Sequence, residues 1–135
     1  MMQIGEVAAQ SGLSLRTVRY YEEVGLVVPS GRTDGGFRLY TEGDLARLLV
    51  VKLMKPLNFT LEEMRELLET QDRLRDPELE AAERERLRER LASYVERAGD
   101  RCAVLRARLE AAEAFVRNLR ADAASKSGDL GAITR

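Results

Sequence analysis

The chain has 135 residues, 44% apolar and 33% charged, with 22 Lys/Arg against 23 Asp/Glu and no histidine. That length suits about one domain. No apolar run approaches a membrane span, and the start MMQIGEVAAQ lacks the basic stretch and apolar core of a signal peptide, so a cytoplasmic protein is expected. A net charge of −1 excludes a generally basic nucleic-acid coat, so any such binding must rest on where the charges lie.

Residues 1–60 carry seven basic and six acidic side chains, 61–77 carry three and six, and 78–122 carry ten of each. The single cysteine, Cys102, excludes an intrachain disulfide. Without histidine, a cysteine pair, a glycine-rich phosphate loop or a paired-carboxylate constellation, neither an enzyme, a metal site nor a cofactor is expected.

In chain order, Ile4, Val7 and Ala8 have the i, i+3, i+4 spacing of a short helix with one buried face. Gly12 supplies a tight turn, and Leu13 joins the two helices from inside. Ser14 stands where an N-cap belongs, three residues ahead of Thr17. The second helix then puts Val18 and Tyr21 inward and leaves Arg16, Thr17, Arg19 and Tyr20 outward. Short helix, glycine turn and second helix form a helix-turn-helix, a device for entering a DNA groove.

Gly25 ends the second helix, and Leu26-Val27-Val28 before Pro29 predicts a short strand. After Arg32 and the Asp34-Gly35-Gly36 turn, the alternation in Phe37-Arg38-Leu39-Tyr40 predicts a two-stranded wing. Phe37 and Leu39 are expected inside, with Arg38 and Tyr40 outside.

Thr41 with Asp44 and Thr60 with Glu63 predict capped starts for two further helices. Leu45, Leu48, Leu49, Val50, Val51, Leu53 and Met54 are expected to form the core, with Pro56 stopping that helix. Asp76-Pro77 predicts the start of a long helix, Asp as N-cap and Pro at the first helical position. Along it Leu91, Val95, Ala98, Cys102, Leu105, Leu109, Ala112, Val116 and Leu119 recur in alternating steps of four and three. Such a seam, about four heptads and roughly 42 Å at 1.5 Å per residue, requires a partner helix, and a homodimer is the economical answer. Cys102 fits this seam as a small apolar residue, with thiol sensing as the other reading. Met54, Phe59, Met64, Tyr94 and Phe115 suit either core filling or a ligand pocket.

Over nearly its full length the sequence resembles the MerR family of transcription regulators, on IGEVAAQSGLSLRTVRYYEEVGLV, GGFRLYTEGDLARL and LNFTLEEMRELL. The resemblance implies a mainly α protein: a winged helix-turn-helix head with linker helices (1–75), a dimerisation helix forming an antiparallel coiled coil (76–122) and a flexible tail (123–135). It implies a homodimer on double-stranded promoter DNA, acting with RNA polymerase by bending and untwisting the spacer between promoter elements, and switched by a small-molecule effector.

By position, Arg16 matches a base-reading site. Thr17, Arg19, Tyr20, Arg38 and Tyr40 match phosphate contacts, with Ser14 at the helix start and Arg32 on the wing beside them. Pro56-Leu57-Asn58 departs from the family, which commonly has a glycine before the Phe. Cys102 alone does not match the thiolate sets of the metal-sensing and iron–sulfur branches. The alternative, from a different class, is an architectural DNA-binding protein without an effector.

Overall fold

A computed structural model describes residues 1–125; residues 126–135 of the expected tail lie outside the described residues. The described elements run β1 (Met2–Gln3), α1 (Ile4–Ser11), α2 (Leu15–Glu23), β2 (Gly31–Arg32), β3 (Arg38–Tyr40), α3 (Glu42–Met54), a 3-10 turn (Lys55–Leu57), α4 (Leu61–Leu74) and α5 (Ala81–Ala124). Two compact units are distinguished, Met1–Val95 and a second beginning at Glu96. The mainly helical class, with helix-turn-helix, wing, linker helices and a long last helix, is the one the sequence implies.

The turn between α1 and α2 depends on Gly12 twice. Its φ of +74° is left-handed, and its N–H donates to the Ala8 carbonyl at 3.0 Å. A Cβ there would also lie 2.6 Å from Lys52 Nζ, which donates to the Ser11 carbonyl at 2.7 Å and so ties α3 to the turn. Ser14 Oγ accepts from Thr17 N at 3.1 Å and starts α2 as expected. Thr41 with Asp44 and Thr60 with Glu63 both close as capping boxes, starting α3 and α4.

Asn58, where the resemblance leads one to expect glycine, has φ +59°, the one positive φ outside glycine among the described residues. Asparagine tolerates this conformation because its short polar side chain bonds locally. The turn into α4 is therefore made without glycine.

Four expectations need correction. The wing has three strands, in order β1-β3-β2 and all antiparallel, with Met2 opposite Tyr40 and Arg32 opposite Arg38. Leu26-Val28 is not a strand: the N–H groups of Leu26 and Val27 both donate to the Tyr21 carbonyl, at 2.9 and 3.2 Å, folding the chain back over the end of α2. On α3, Leu45, Leu48, Val51 and Met54 are buried, but Leu49 and Leu53 are exposed, because one helical stripe cannot accommodate so many adjacent apolar positions.

Asp76-Pro77, finally, opens a turn rather than a helix. Asp76 Oδ1 accepts from Glu78 N at 2.9 Å and its carbonyl from Leu79 N at 3.3 Å, so α5 begins only at Ala81. Arg84 donates to the carbonyls of Leu74 (2.9 Å) and Asp76 (2.6 Å) and holds this turn in place.

The core of the first unit includes Val7, Val18, Tyr21, Val27, Leu48, Val51 and Leu87. Met54, Phe59, Met64 and Tyr94 are buried as well, with the Phe59 and Tyr94 rings 6.0 Å apart and the Tyr94 hydroxyl 2.6 Å from a Glu66 carboxylate oxygen. Phe115, expected with them, is exposed on the second unit.

Candidate nucleic-acid interface

Helix α2 separates two faces. Val18 and Tyr21 are buried on one. Arg16, Arg19 and Tyr20 are exposed on the other, where positions i, i+3 and i+4 of a helix become neighbours. Among the described residues neither Arg16 nor Arg19 has an ion-pair partner. Ser14 is exposed at the helix start and donates to Thr17 Oγ1 at 2.9 Å, so these two hydroxyls are first of all a cap. Tyr20 is 42% exposed and its ring lies tilted against Tyr21, 5.6 Å between centroids. Burial pushes the Tyr21 phenol pKa above its ordinary value, so it stays neutral inside the core.

The helix is braced from behind. Arg65 of α4 donates to the Val24 carbonyl at 2.7 Å, at the C-terminal end of α2, while Lys52 holds the turn before it. The two bonds act at opposite ends of the turn-and-helix segment, which limits how far α2 can tilt.

On the wing, Phe37 and Tyr40 depart from the expected inside and outside, while Arg38 and Leu39 are both half-buried. Phe37 is 65% exposed, whereas Tyr40 is fully buried and its hydroxyl has no hydrogen-bond partner among the described residues. The physical reason is that β3 is a central strand on which α1 and α3 pack, so the side of the strand carrying Tyr40 is covered. Burial first, then the nearby Glu22 carboxylate, raises the Tyr40 phenol pKa. Tyr40 thus braces the root of the wing instead of presenting its ring to a phosphate.

Arg38 is partly exposed and pairs through Nε with Glu22 of α2; the same carboxylate accepts from Arg32 Nη2 at 2.9 Å. The hydrogen bond to Glu22 also raises the Arg38 pKa above its ordinary value. Arg32 Nη1 reaches the Gly36 carbonyl at 3.1 Å and fixes the wing turn. Both wing arginines are therefore tied to α2. Glu22 was invisible to sequence reasoning, because its partners lie 10 and 16 residues away and no local pattern announces them.

Of the seam residues, Leu91 and Ala98 are half-buried. Val95, Cys102, Leu105, Leu109, Ala112, Val116 and Leu119 are exposed on α5. Val104 and Phe115 add exposed apolar surface that the heptad pattern omits.

A helix-turn-helix flanked by a small antiparallel wing and braced by linker helices defines the winged helix-turn-helix class. The model of the MerR HTH family regulatory proteins matches residues 2–71, and the chain belongs to that family. It is 46% identical over 74 residues to the HTH-type transcriptional regulator YfmP of Bacillus subtilis (strain 168), an alignment covering 54% of this chain and 53% of YfmP. The chain spans about half the length of the curated relatives it matches.

Among solved structures it is 32% identical to the lead(II)-bound transcription regulator PbrR691 from Ralstonia metallidurans CH34, covering 96% of this chain and 94% of that one at a TM-score of 0.52. HiNmlR, a MerR family regulator lacking the sensor domain and bound to promoter DNA, shares the fold at a TM-score of 0.65 and 23% identity, over 90% of this chain and 92% of its own.

Proposed function

We propose that the chain is a DNA-binding transcription regulator that works as a homodimer on promoter DNA. The observation that carries this reading is the exposed face of α2: two arginines without ion-pair partners among the described residues, next to a tyrosine, on a helix braced at its C-terminal end and at the turn before it. Arg16 would read a base edge in the major groove. Thr17, Arg19 and Tyr20 would hold phosphates, Ser14 would cap the helix at that surface, and Arg38 and Arg32 would touch the backbone from the wing. Membership of the MerR family and the likeness to YfmP, itself a transcriptional regulator, support the assignment.

Residues 1–75 would carry DNA binding and 76–122 dimerisation, through an antiparallel coiled coil on the α5 seam. Two heads on one duplex could bend and untwist a promoter spacer, a distortion costing several kcal/mol that phosphate contacts from both heads would offset. RNA polymerase would then use the reshaped promoter in the cytoplasm, under a small-molecule effector.

One observation favours a second reading. Met54, Phe59, Met64 and Tyr94, which could have lined a ligand pocket, are packed as core, and this favours an architectural DNA-binding protein acting without an effector.

Arg16→Ala tests the base-reading role. It should cost about 1–3 kcal/mol on the preferred duplex and relax base preference. Equal weakening on preferred and random duplexes would refute it.

A further inference from the structure

We propose that Glu22 sets the specificity of this interface by competing with DNA phosphates for the two wing arginines, a role that rests on the DNA-binding reading above. Arg32 and Arg38 face each other directly across β2 and β3. Like charges in that relation repel, and Glu22 relieves the repulsion with one carboxylate oxygen for each: Oε2 accepts from Arg32 at 2.9 Å and Oε1 from Arg38 Nε.

The carboxylate lies partly covered, with 18% of its side chain exposed against 49% for Arg32 and 31% for Arg38. Partly exposed ion pairs of this kind are weak, so a well-placed phosphate can take the guanidinium over. The terminal amino groups of Arg38 have no partner among the described residues and are already available to make the first contact.

The consequence depends on the DNA. Where α2 and the wing fit the duplex together, phosphates replace Glu22 as partners of Arg32 and Arg38. Where only one of them fits, the arginines stay with Glu22 and the wing offers little charge to non-specific DNA. Glu22 is thus a positioning residue that makes wing contacts conditional on correct seating of the recognition helix.

The test compares wild type, Glu22→Gln and Glu22→Asp on two probes: the tightest duplex selected from a randomised pool, and the unselected pool itself. Binding is measured between about 50 and 200 mM salt. Glu22→Gln should bind the unselected pool about tenfold tighter and gain less on the selected duplex, so that their ratio falls. Its salt dependence on the pool should steepen by the equivalent of about one to two phosphates, each contributing a slope of about 0.9. Glu22→Asp, which keeps the charge with a shorter reach, should lie between the two. In an Arg32→Ala/Arg38→Ala background the effect of Glu22→Gln should vanish.

An unchanged ratio and slope in Glu22→Gln overturns the proposal. So does an equal loss on both probes, which would make Glu22 a structural residue, and so does an effect that survives removal of both arginines. Wild-type protein that binds neither probe overturns the DNA-binding reading itself, whereas normal wild-type binding with an inert Glu22→Gln overturns the specificity role alone.

Discussion

Leu48 and Leu109 are the same residue in the same kind of helical apolar pattern, yet Leu48 is 0% exposed and Leu109 is 59% exposed. The first lies in the unit ending at Val95 and the second in the unit beginning at Glu96. Within the first unit, the stripe Leu45, Leu48, Val51 and Met54 is covered by the fold's own elements. Within the second, Leu105, Leu109, Val116 and Leu119 keep a third or more of their surface open. Periodicity announces that a face must be buried, and it is silent on whether the chain itself supplies the cover. Substituting the two leucines should separate these cases.

Leu48→Ala carries the largest expected effect. Removing a fully buried isobutyl group leaves a cavity as well as losing transfer free energy, so the variant should lose about 2–5 kcal/mol in a denaturant melt. Set against a typical total of about 5–15 kcal/mol, that is a large fraction of the stability. A loss below about 1 kcal/mol would mean the site collapses around the gap and that the stripe is not a tight core.

Leu109→Glu should behave oppositely. An exposed substitution changes the stability of a single chain by only about 0.5 kcal/mol. At a paired seam, however, an unpartnered carboxylate would be costly to bury. The variant should therefore remain folded by circular dichroism while sedimenting at one chain mass, with wild type at two. Wild-type protein that stays monomeric at concentrations on the order of tens of micromolar would overturn the paired seam, because nothing would then cover Leu109 or its neighbours.

What the sequence made legible follows the range of the interactions. Ser14, Thr41 and Thr60 could be recognised as caps because each bonds a backbone N–H three residues on. The buried and exposed faces of α2 could be recognised because helical period alone separates Val18 and Tyr21 from Arg16 and Arg19. Strand β1 could not, since two residues at the amino terminus pair with Leu39 and Tyr40 far along the chain. Alternation in the wing placed Arg38 and Tyr40 on one side without saying which side the helices would cover. The Asp76-Pro77 pair predicts a helix start, but the same local bonds also make a turn, and only Arg84 reaching back to it distinguishes the two.

Tyr40→Phe probes the one place in the first unit where burial is itself unfavourable. The hydroxyl is enclosed and has no hydrogen-bond partner among the described residues. Deleting it should be neutral or stabilising by up to about 1 kcal/mol, seen as an equal or higher Tm. It should also leave DNA affinity intact, since the ring supports the wing from within. A clear drop in Tm would mean the hydroxyl is bonded in solution.

The smallest effect is expected at the residue with the most reactive side chain. Cys102 is exposed on the single chain and stands on the seam of the second unit. The regular steps run from Leu91 to Leu119, so an antiparallel pairing that buries all of them has its two-fold axis near Leu105. Cys102, three residues from that axis, then lies nearest Leu109 of the partner subunit among the seam residues, and the two Cys102 positions are offset by about 9 Å along the helix at 1.5 Å per residue. A disulfide requires Cα atoms within about 7 Å, so the pairing forbids the crosslink. Cys102→Ser should accordingly bind DNA as wild type does, with or without reductant, with only a modest stability loss, because the side chain keeps nearly the same size in the seam. The check is a non-reducing gel after mild oxidation. A dimer linked through Cys102 would move the axis toward that residue, change which side chains face each other along the whole seam, and turn the thiol from a packing group into a redox switch.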